Sequence, residues 1–328
     1  MWDSHHYPRV AGGLGASQTR VSSGRTALAL MVVLAMGAAC GSPGPQPSTS
    51  PISDSSSPTA PVLPGKFAFT VLGGDLWVMR GDGSDRRQIT LSGEGVDTSP
   101  SWAPDGSRLA FRHSVVAGDS PQNADMIRIV QADGSGVRDL VAGSFPAWSP
   151  DGAWIAFRGV NRIDLAIIRP DGTSLRPLGV QNAECPVWSP DGTRLLYCRN
   201  ESVSGTVSDN WEVWMMNRDG SDQHQLTEDP ARDYPITWSS DGSRIVFFSE
   251  RGGRGASFIM KADGSDVMRL TEATDLSAVG AWLPDGRFVI ASAGGDIPDW
   301  YLIDRNGARQ QIPQLKGAFD PIAWVNKQ

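Results

Sequence analysis

The sequence predicts an all-β fold, a six-bladed β-propeller, because two signals alternate along the chain at a regular period. The first signal is a tryptophan that ends an apolar run, and it recurs at intervals of 40 to 50 residues. The second is an Asp-Gly turn between shorter strand-like runs. Repeats of this length with four strand-like runs each are typical of propeller blades. The recurring tryptophans are Trp102, Trp148, Trp188, Trp238, Trp282 and Trp324.

The tryptophan hairpin is clearest at Pro186–Tyr197, where Trp188 is followed by Ser-Pro-Asp-Gly and a second apolar run. Proline fixes one turn dihedral, aspartate bonds its own backbone and glycine accepts a positive φ, so these residues form a tight turn. Between two apolar runs such a turn joins two strands. We therefore interpret the tryptophans and the turn aspartates as structural. These aspartates are Asp105, Asp151, Asp191, Asp241 and Asp285.

The second turn falls between the hairpins and completes each repeat. It occurs at Asp82-Gly83, Asp133-Gly134, Asp171-Gly172, Asp219-Gly220, Asp263-Gly264 and Asn306-Gly307. The Trp-Ser-Pro-Asp-Gly motif, this second turn and a closing Arg-x-Leu-Thr together resemble the WD40-like PD40 repeat. That repeat builds the β-propeller of TolB-type periplasmic proteins and of some peptidases. The resemblance covers roughly residues 66 to 328.

Ring closure is predicted from the two ends of the repeat region. Lys66–Thr70 matches the second strand of a repeat, yet no tryptophan strand precedes it. Asp320–Val325 has the opening of a repeat, and the sequence stops three residues later. We expect the C-terminal strand to complete the first blade, which gives six blades and removes the exposed sheet edges of an open array.

The residues before the repeats indicate export. Residues 26–39 form an apolar run of signal-peptide length after Arg20 and Arg25. The following Cys40 resembles the lipidated cysteine of a bacterial lipobox, although Gly37 departs from the usual leucine. We assign residues 1–39 to a signal peptide and Cys40 to lipidation. An ordinary cleavage near Ala39 and an uncleaved anchor are the alternatives, and residues 1–20 are long enough to suggest a start further downstream.

Residues 40–65 are interpreted as the lipidated cysteine followed by a tether. Between Gly41 and Gly65 the chain is nearly all Pro, Ser, Thr and Gly, a composition that stays disordered and extended. An O-glycosylated stalk is compatible with this function. The chain is therefore expected to be exported and held by lipid at the outer face of the cytoplasmic membrane or in the periplasm.

The candidate site lies on the face of the ring opposite the Asp-Gly turns. We call the side with these turns the turn face and the side with the remaining connections, such as 113–125 and 227–233, the loop face. Variable loops over a rigid scaffold commonly carry function. Carboxylates four or five residues before a blade tryptophan are expected to form an acidic channel mouth that attracts cations or basic segments, with Ca²⁺ as a candidate ligand. The predicted ligand-binding residues are Asp97, Glu184, Asp233, Asp320 and, on a loop, Asp275.

Two further cysteines lie on the two strands of one hairpin. Cys185 and Cys198 flank the turn at 189–192 and should be neighbours across the ladder, directly opposite or one step off. An exported protein can oxidise such a pair, so a disulfide is predicted. A register slip would place the sulfurs on opposite faces, and two buried thiols are the alternative.

Catalytic motifs are hard to find in the repeat region. It has two histidines, His113 and His224, and lacks a Gly-x-Ser-x-Gly elbow, a His-Glu-x-x-His motif and a Walker loop. Nucleic-acid binding is disfavoured by the net charge of −7 and by export. We expect a monomeric, non-catalytic envelope module without a cofactor that binds a protein, peptide or cationic ligand. A carbohydrate- or peptide-cleaving enzyme using channel carboxylates is the rival class, and a metal-stabilised structural propeller is a third option.

Overall fold

The computed structural model describes residues 61–71, 73–91, 93, 95–115, 125–160, 165–201, 210–253, 255–271, 280–283, 285–292, 299–304 and 308–325. Its strands are β1 (Lys66–Val71), β2 (Leu76–Arg80), β3 (Arg87–Gln88), β4 (Gly95–Trp102), β5 (Arg108–Val115), β6 (Met126–Gln131), β7 (Arg138–Trp148), β8 (Ile155–Gly159), β9 (Leu165–Ile168), β10 (Arg176–Pro177), β11 (Ala183–Trp188), β12 (Arg194–Asn200), β13 (Trp211–Asn217), β14 (His224–Gln225), β15 (Asp233–Trp238), β16 (Arg244–Ser249), β17 (Ala256–Lys261), β18 (Met268–Arg269), β19 (Gly280–Trp282), β20 (Phe288–Ser292), β21 (Asp299–Ile303), β22 (Arg309–Gln311) and β23 (Ala318–Val325). A short 3₁₀ helix spans Pro313–Leu315.

The strands form antiparallel sheets arranged as a β-propeller, which confirms the all-β propeller part of the predicted fold class. Within the described residues, four sheets have four strands each, in the orders β23-β1-β2-β3, β11-β12-β13-β14, β15-β16-β17-β18 and β19-β20-β21-β22. A further sheet of seven strands runs from β4 to β10. Apart from β23 in the first sheet, neighbouring strands follow the chain as a meander, so the Asp-Gly turns lie along one face and the longer connections along the other.

The seven-stranded sheet owes its length to strand β7, which has two different partners. Met126–Ile129 of β6 pairs with β7 between Arg138 and Ala142. The next residues, Gly143 to Trp148, pair instead with β8. The outer strand of one meander therefore continues without a loop into the inner strand of the next.

The C-terminal strand β23 lies beside β1, as the sequence predicts. Lys66 pairs with Val325 and Val71 with Ala318, in antiparallel register. A strand from the end of the repeat region thus fills the inner position of the first sheet. The polar edge that β1 would otherwise expose is hydrogen-bonded.

The hairpin turns have the structure that their sequence predicts. Asp191 Oδ1 accepts hydrogen bonds from Ser189 Oγ at 2.6 Å and from the Thr193 N–H at 3.1 Å. These bonds, first the one from the Ser189 hydroxyl, lower the pKa of Asp191 to about 2. Gly192 has a φ of +68°, which glycine adopts without steric cost. The turn aspartates are therefore occupied by the backbone that they organise.

The apolar core lies between neighbouring sheets. One cluster joins Ala68 and Leu76 of the first sheet to Phe111 of β5, and a second joins Leu196 of β12 to Phe247 of β16. The predicted structural role of the hairpin tryptophans is confirmed where they are described as buried, at Trp102, Trp148, Trp188 and Trp238. Arginines from the preceding repeat cover two of these rings: the Arg108 guanidinium lies 5.3 Å from the centre of Trp148, and that of Arg194 lies 5.0 Å from Trp238.

A search of the described residues for a helix long and apolar enough to cross a bilayer found none. The predicted signal peptide, Cys40 and the tether as far as residue 60 lie outside the described residues, so these assignments stay predictions.

Candidate functional site on the loop face

Three of the predicted acidic residues lie at the loop-face ends of inner strands. Asp97 pairs with His113 and Asp233 pairs with Ser249, at the same register relative to the tryptophan of each strand. Glu184 pairs with Cys198 and lies one residue closer to the turn. The carboxylates therefore do not occupy one equivalent position around the ring.

The offset is already present in the sequence, because Glu184 lies four residues before its tryptophan whereas Asp97 and Asp233 lie five residues before theirs. The inner strands also share a β-bulge. The register shifts between the acidic position and the tryptophan in β4, β7, β11 and β15. In the first three, the residue before proline has a left-handed backbone: Ser99 at φ 52°, Phe145 at 54° and Cys185 at 58°. Because a bulge puts two residues opposite one, spacing from the tryptophan does not by itself determine where a side chain points.

Asp97 is buried and tied to its surroundings. The residue is 2% exposed, and its Oδ1 lies 2.6 Å from Nδ1 of His113, which is also buried. The backbone of Asp97 reaches the first sheet, because its N–H donates to the Gly74 carbonyl and its carbonyl accepts from Thr70 Oγ1. These contacts link the first sheet to the second at the loop face.

Asp233 belongs to a buried cluster of charged residues. It has no solvent exposure, and its Oδ2 accepts a hydrogen bond from Arg251 Nη2 at 2.6 Å. The Arg251 guanidinium also lies 5.0 Å from the centre of the Phe258 ring. Burial raises the pKa of Asp233, although Ser249 and Arg251 oppose that rise.

Glu212 on β13 is a second buried carboxylate in this cluster, and sequence reasoning missed it. It is 1% exposed; Oε2 accepts from Thr227 Oγ1 at 2.6 Å and Oε1 from the Asp229 N–H at 3.0 Å. Burial raises the pKa of Glu212 to about 7, and the negative charge of Asp233 adds to the rise. Glu212 lies in an otherwise apolar strand sequence, Trp-Glu-Val-Trp-Met-Met. A single charged residue in such a run was the available signal for a buried carboxylate.

Glu184 is more accessible than Asp97 and Asp233, with 19% of its side chain exposed. Its Oε2 lies 3.5 Å from Nη1 of Arg158 on β8. Cys185 and Cys198 are adjacent to it, and one donor atom from each of the three residues falls within 4.8 Å of the others. The cysteines are thus one step off in register, as predicted. Both are free thiols in this structure, and their disulfide stays a prediction.

The predicted acidic residues are engaged with separate partners rather than gathered at one point. Among the described residues, no group of three metal-type donors within 4.8 Å contains more than one of Asp97, Glu184 and Asp233. Asp275 lies outside the described residues, and so does the side chain of Asp320, although its backbone belongs to β23. A role of these five residues in ligand binding therefore stays a prediction.

Sequence reasoning also missed the basic partners on the loop face. Arg112 on β5 lies 2.9 Å from Asp125, and Arg199 on β12 lies 3.2 Å from Glu201. Arg112 and Arg158 have the same register on the second strands of two repeats, opposite Thr98 and Ser144. Aligning the repeats in phase would have identified this pair of arginines. The loop face therefore carries basic as well as acidic side chains, and several of them form ion pairs with each other.

Two sizeable cavities lie on the turn face. One, of about 600 Å³, is lined by the turns at 191–193 and 217–219 together with Arg176. The other, of about 520 Å³, lies between the hairpin turn at 239–243 and the apolar side chains of Trp282 and Phe288. Each turn carboxylate with a lowered pKa near them is bonded within its own turn, so neither cavity offers a free acid–base pair among the described residues.

Comparison with known proteins places these features in context. The family model described as PD40, TolB beta propeller domain, matches residues 146–319, just over half of the chain. The crystal structure of TolB from Acinetobacter baumannii matches with a TM-score of 0.65 at 18% identity, over 80% of this chain and 67% of that one.

Two further solved structures show the same fold. The structure of putative TolB from Agrobacterium tumefaciens matches with a TM-score of 0.58 at 18% identity, covering 80% of this chain and 98% of the other. The tricorn protease matches with a TM-score of 0.57 at 20% identity, covering 77% of this chain and 26% of the protease. At these identities the likeness concerns the fold, which both binding proteins and enzymes use.

Proposed function

This chain belongs to the PD40 family of TolB β-propeller domains, and from that premise we propose that it is a non-catalytic binding or scaffolding protein of the cell envelope. Its ligand is a protein, peptide or cationic segment that contacts the loop face. The chain acts as a monomer, with no cofactor, and Ca²⁺ is the metal to test first.

The proposed architecture is a ring of six blades. The support for this number is strand β7, whose first half ends one four-stranded meander and whose second half begins the next. Counting the seven-stranded sheet as two blades that share this strand gives six with the other four sheets. Each blade then corresponds to one tryptophan repeat of the sequence.

The proposed location is outside the cytoplasmic membrane. The apolar segment at 26–39 followed by Cys40 supports export and a lipid anchor, and the Pro- and Ser-rich tether would hold the propeller away from the bilayer. The propeller then presents its loop face to other envelope components.

The observation that carries the binding proposal is the series of partly exposed ion pairs on the loop face. Arg112–Asp125, Arg158–Glu184 and Arg199–Glu201 all retain exposed surface on both side chains. Such pairs contribute little to stability when solvated. They do hold charged groups in ordered positions, where an incoming charged segment can exchange partners with them and gain specificity.

The enzyme alternative receives less support from the geometry. Glu212, with a pKa raised to about 7, has the ionisation expected of a general acid, and Asp233 is its neighbour. Both residues have at most 1% exposure, and Asp97 and His113 are buried as well. A general acid must come within hydrogen-bond reach of the substrate, and these side chains are closed to it in this structure.

A basic peptide tests the proposal directly. We would titrate the full chain into fluorescently labelled oligolysine and follow anisotropy at low and high salt. The double variant Glu184→Gln with Glu201→Gln removes two loop-face charges. The double variant Asp222→Asn with Asp266→Asn is the matched control, because both are exposed turn-face residues, with side chains 71% and 60% accessible.

Salt-sensitive binding that the double variant weakens and the control preserves is the expected result. Binding that falls equally in both variants would reflect net charge alone and overturn the assignment to the loop face. Absence of binding by the native chain would remove the cationic segment as ligand.

A further inference from the structure

Strand β11 brings two consecutive side chains to the same place. In a regular strand, neighbouring residues point to opposite sides of the sheet. Here the bulge after Glu184, with Cys185 at a φ of 58°, lets the Glu184 carboxylate and the Cys185 sulfur converge. Cys198 on β12 lies opposite Glu184 and completes the group, with its Sγ 3.3 Å from the Glu184 carbonyl oxygen.

The three donors have the chemistry of a metal site. Two thiols and one carboxylate within 4.8 Å of each other need only small shifts to coordinate one ion, since Zn²⁺ binds sulfur at about 2.3 Å and carboxylate oxygen at about 2.1 Å. Cys198 is fully buried, Cys185 is half-buried and Glu184 is partly exposed, so the group opens towards solvent on the Glu184 side. Solvent could supply a fourth ligand there.

We propose that Glu184, Cys185 and Cys198, with the thiols reduced, bind a thiophilic divalent cation of the zinc class. Thiolate ligands select such ions over Ca²⁺ and Mg²⁺, which prefer sites made entirely of oxygen. This site differs in its ligand chemistry from the oxygen-based Ca²⁺ site considered for the channel mouth, although Glu184 is common to both.

The equivalent positions of the neighbouring repeats show what is particular to this one. Strands β4 and β7 have the same left-handed bulge residue, but it is Ser99 in one and Phe145 in the other. The residue on the second strand that corresponds to Cys198 is Arg112 or Arg158. The repeat supplies the bulge geometry, and only in the β11–β12 hairpin, among these three, does it hold two sulfurs.

Arg158 is the group that a bound cation would displace. Its guanidinium lies 3.5 Å from Glu184, and its side chain is 41% exposed and can turn out to solvent. Burial raises the pKa of Cys198 well above its ordinary value. Metal binding must therefore displace protons from the thiols, which lowers the affinity at neutral pH without removing the site.

The predicted disulfide is the oxidised form of the same pair. A disulfide such as oxidised glutathione would accept two electrons and two protons from the thiols, giving one Cys185–Cys198 bond and two glutathione thiols. Because both sulfurs would then be bonded to each other, the oxidised chain should not hold the cation. The metal site is thus a property of the reduced protein.

Cadmium is a suitable probe, because Cd²⁺ bound to thiolates gives a charge-transfer absorption band in the ultraviolet. The experiment uses the full chain, reduced, with Cys40→Ser, so that Cys185 and Cys198 are the remaining thiols of the three in the sequence. The variants are Cys185→Ser, chosen because this residue is only half-buried, and Glu184→Gln. Glu250→Gln is the control for an exposed carboxylate on the same face, and circular dichroism checks that each variant is folded.

We expect one equivalent of Cd²⁺ to bind with the thiolate band, and Zn²⁺ to displace it. The band should vanish in Cys185→Ser and after oxidation with glutathione disulfide. Affinity should fall roughly tenfold or more in Glu184→Gln and be unchanged in Glu250→Gln. No band in the reduced chain, a band that survives Cys185→Ser, or equal affinity in Glu184→Gln and the parent would each overturn the three-residue site.

Discussion

Replacing Glu212 by glutamine should change how stability depends on pH. Burial raises the pKa of Glu212 from its ordinary 4.5 to about 7, so the folded state holds this proton more tightly than the unfolded state does. The stabilisation from the protonated group is complete below about pH 4.5 and is lost as the pH rises through about 7. At about 1.4 kcal/mol per pH unit, this interval corresponds to roughly 3 kcal/mol.

Glutamine cannot ionise, yet its amide can bond the Thr227 hydroxyl and the Asp229 N–H that the carboxyl now contacts. We would measure the free energy of unfolding by urea titration, followed by tryptophan fluorescence, from about pH 5 to about pH 8. We expect the free energy of unfolding of Glu212→Gln, relative to that of the native chain, to increase by roughly 3 kcal/mol as the pH rises over this range.

Glu250→Gln provides the matched control, because Glu250 is 44% exposed and lies 3.9 Å from Arg232. Its pH profile should run parallel to that of the native chain. If the profile of Glu212→Gln is also parallel, Glu212 is ionised in the folded protein at neutral pH and the reasoning from burial is refuted.

Three further predictions concern stability and can be measured by denaturant titration. Ser189→Ala should cost about 1 to 3 kcal/mol, because the buried hydroxyl bonds within its hairpin turn; a cost no greater than that of Ser221→Ala on an exposed turn would contradict this. Arg251→Ala should cost about 3 to 5 kcal/mol by leaving Asp233 charged and buried. Adding Asp233→Asn to Arg251→Ala should recover part of the lost stability. If it recovers none, the Arg251–Asp233 ion pair is not the cause of the loss. Deleting Ala318–Val325 should abolish cooperative unfolding, since β1 loses its inner partner, and an unchanged transition would contradict ring closure.

The general fold could be predicted from the sequence because its signals are local. Asp191 and Gly192 determine a turn through their own backbone contacts, and five copies of this hairpin turn outweigh an error in any one of them. The pairing of β23 with β1 followed from the repeat pattern, since Lys66–Thr70 matched a second strand that lacked a first.

The site could be predicted less well because side-chain direction depends on bulges and on partners distant in sequence. Counting back four or five residues from the tryptophan grouped Glu184 with Asp97 and Asp233, but this difference of one residue places Glu184 at another register. Asp233 meets Arg251 eighteen residues later, and nothing in either local sequence indicates that pairing. Burial of these carboxylates is a tertiary effect, which a count of acidic residues on loops does not reveal.

The shared strand β7 has a mechanical consequence. Sheets joined by a loop can tilt relative to each other as the loop bends, whereas a strand hydrogen-bonded to β6 along one half and to β8 along the other transmits any tilt directly. Arg112 and Arg158 are carried by the second strands on either side of this connection. The two strands that carry these arginines should therefore move together as one rigid unit. A binding partner would then meet the two positive charges at a constant separation.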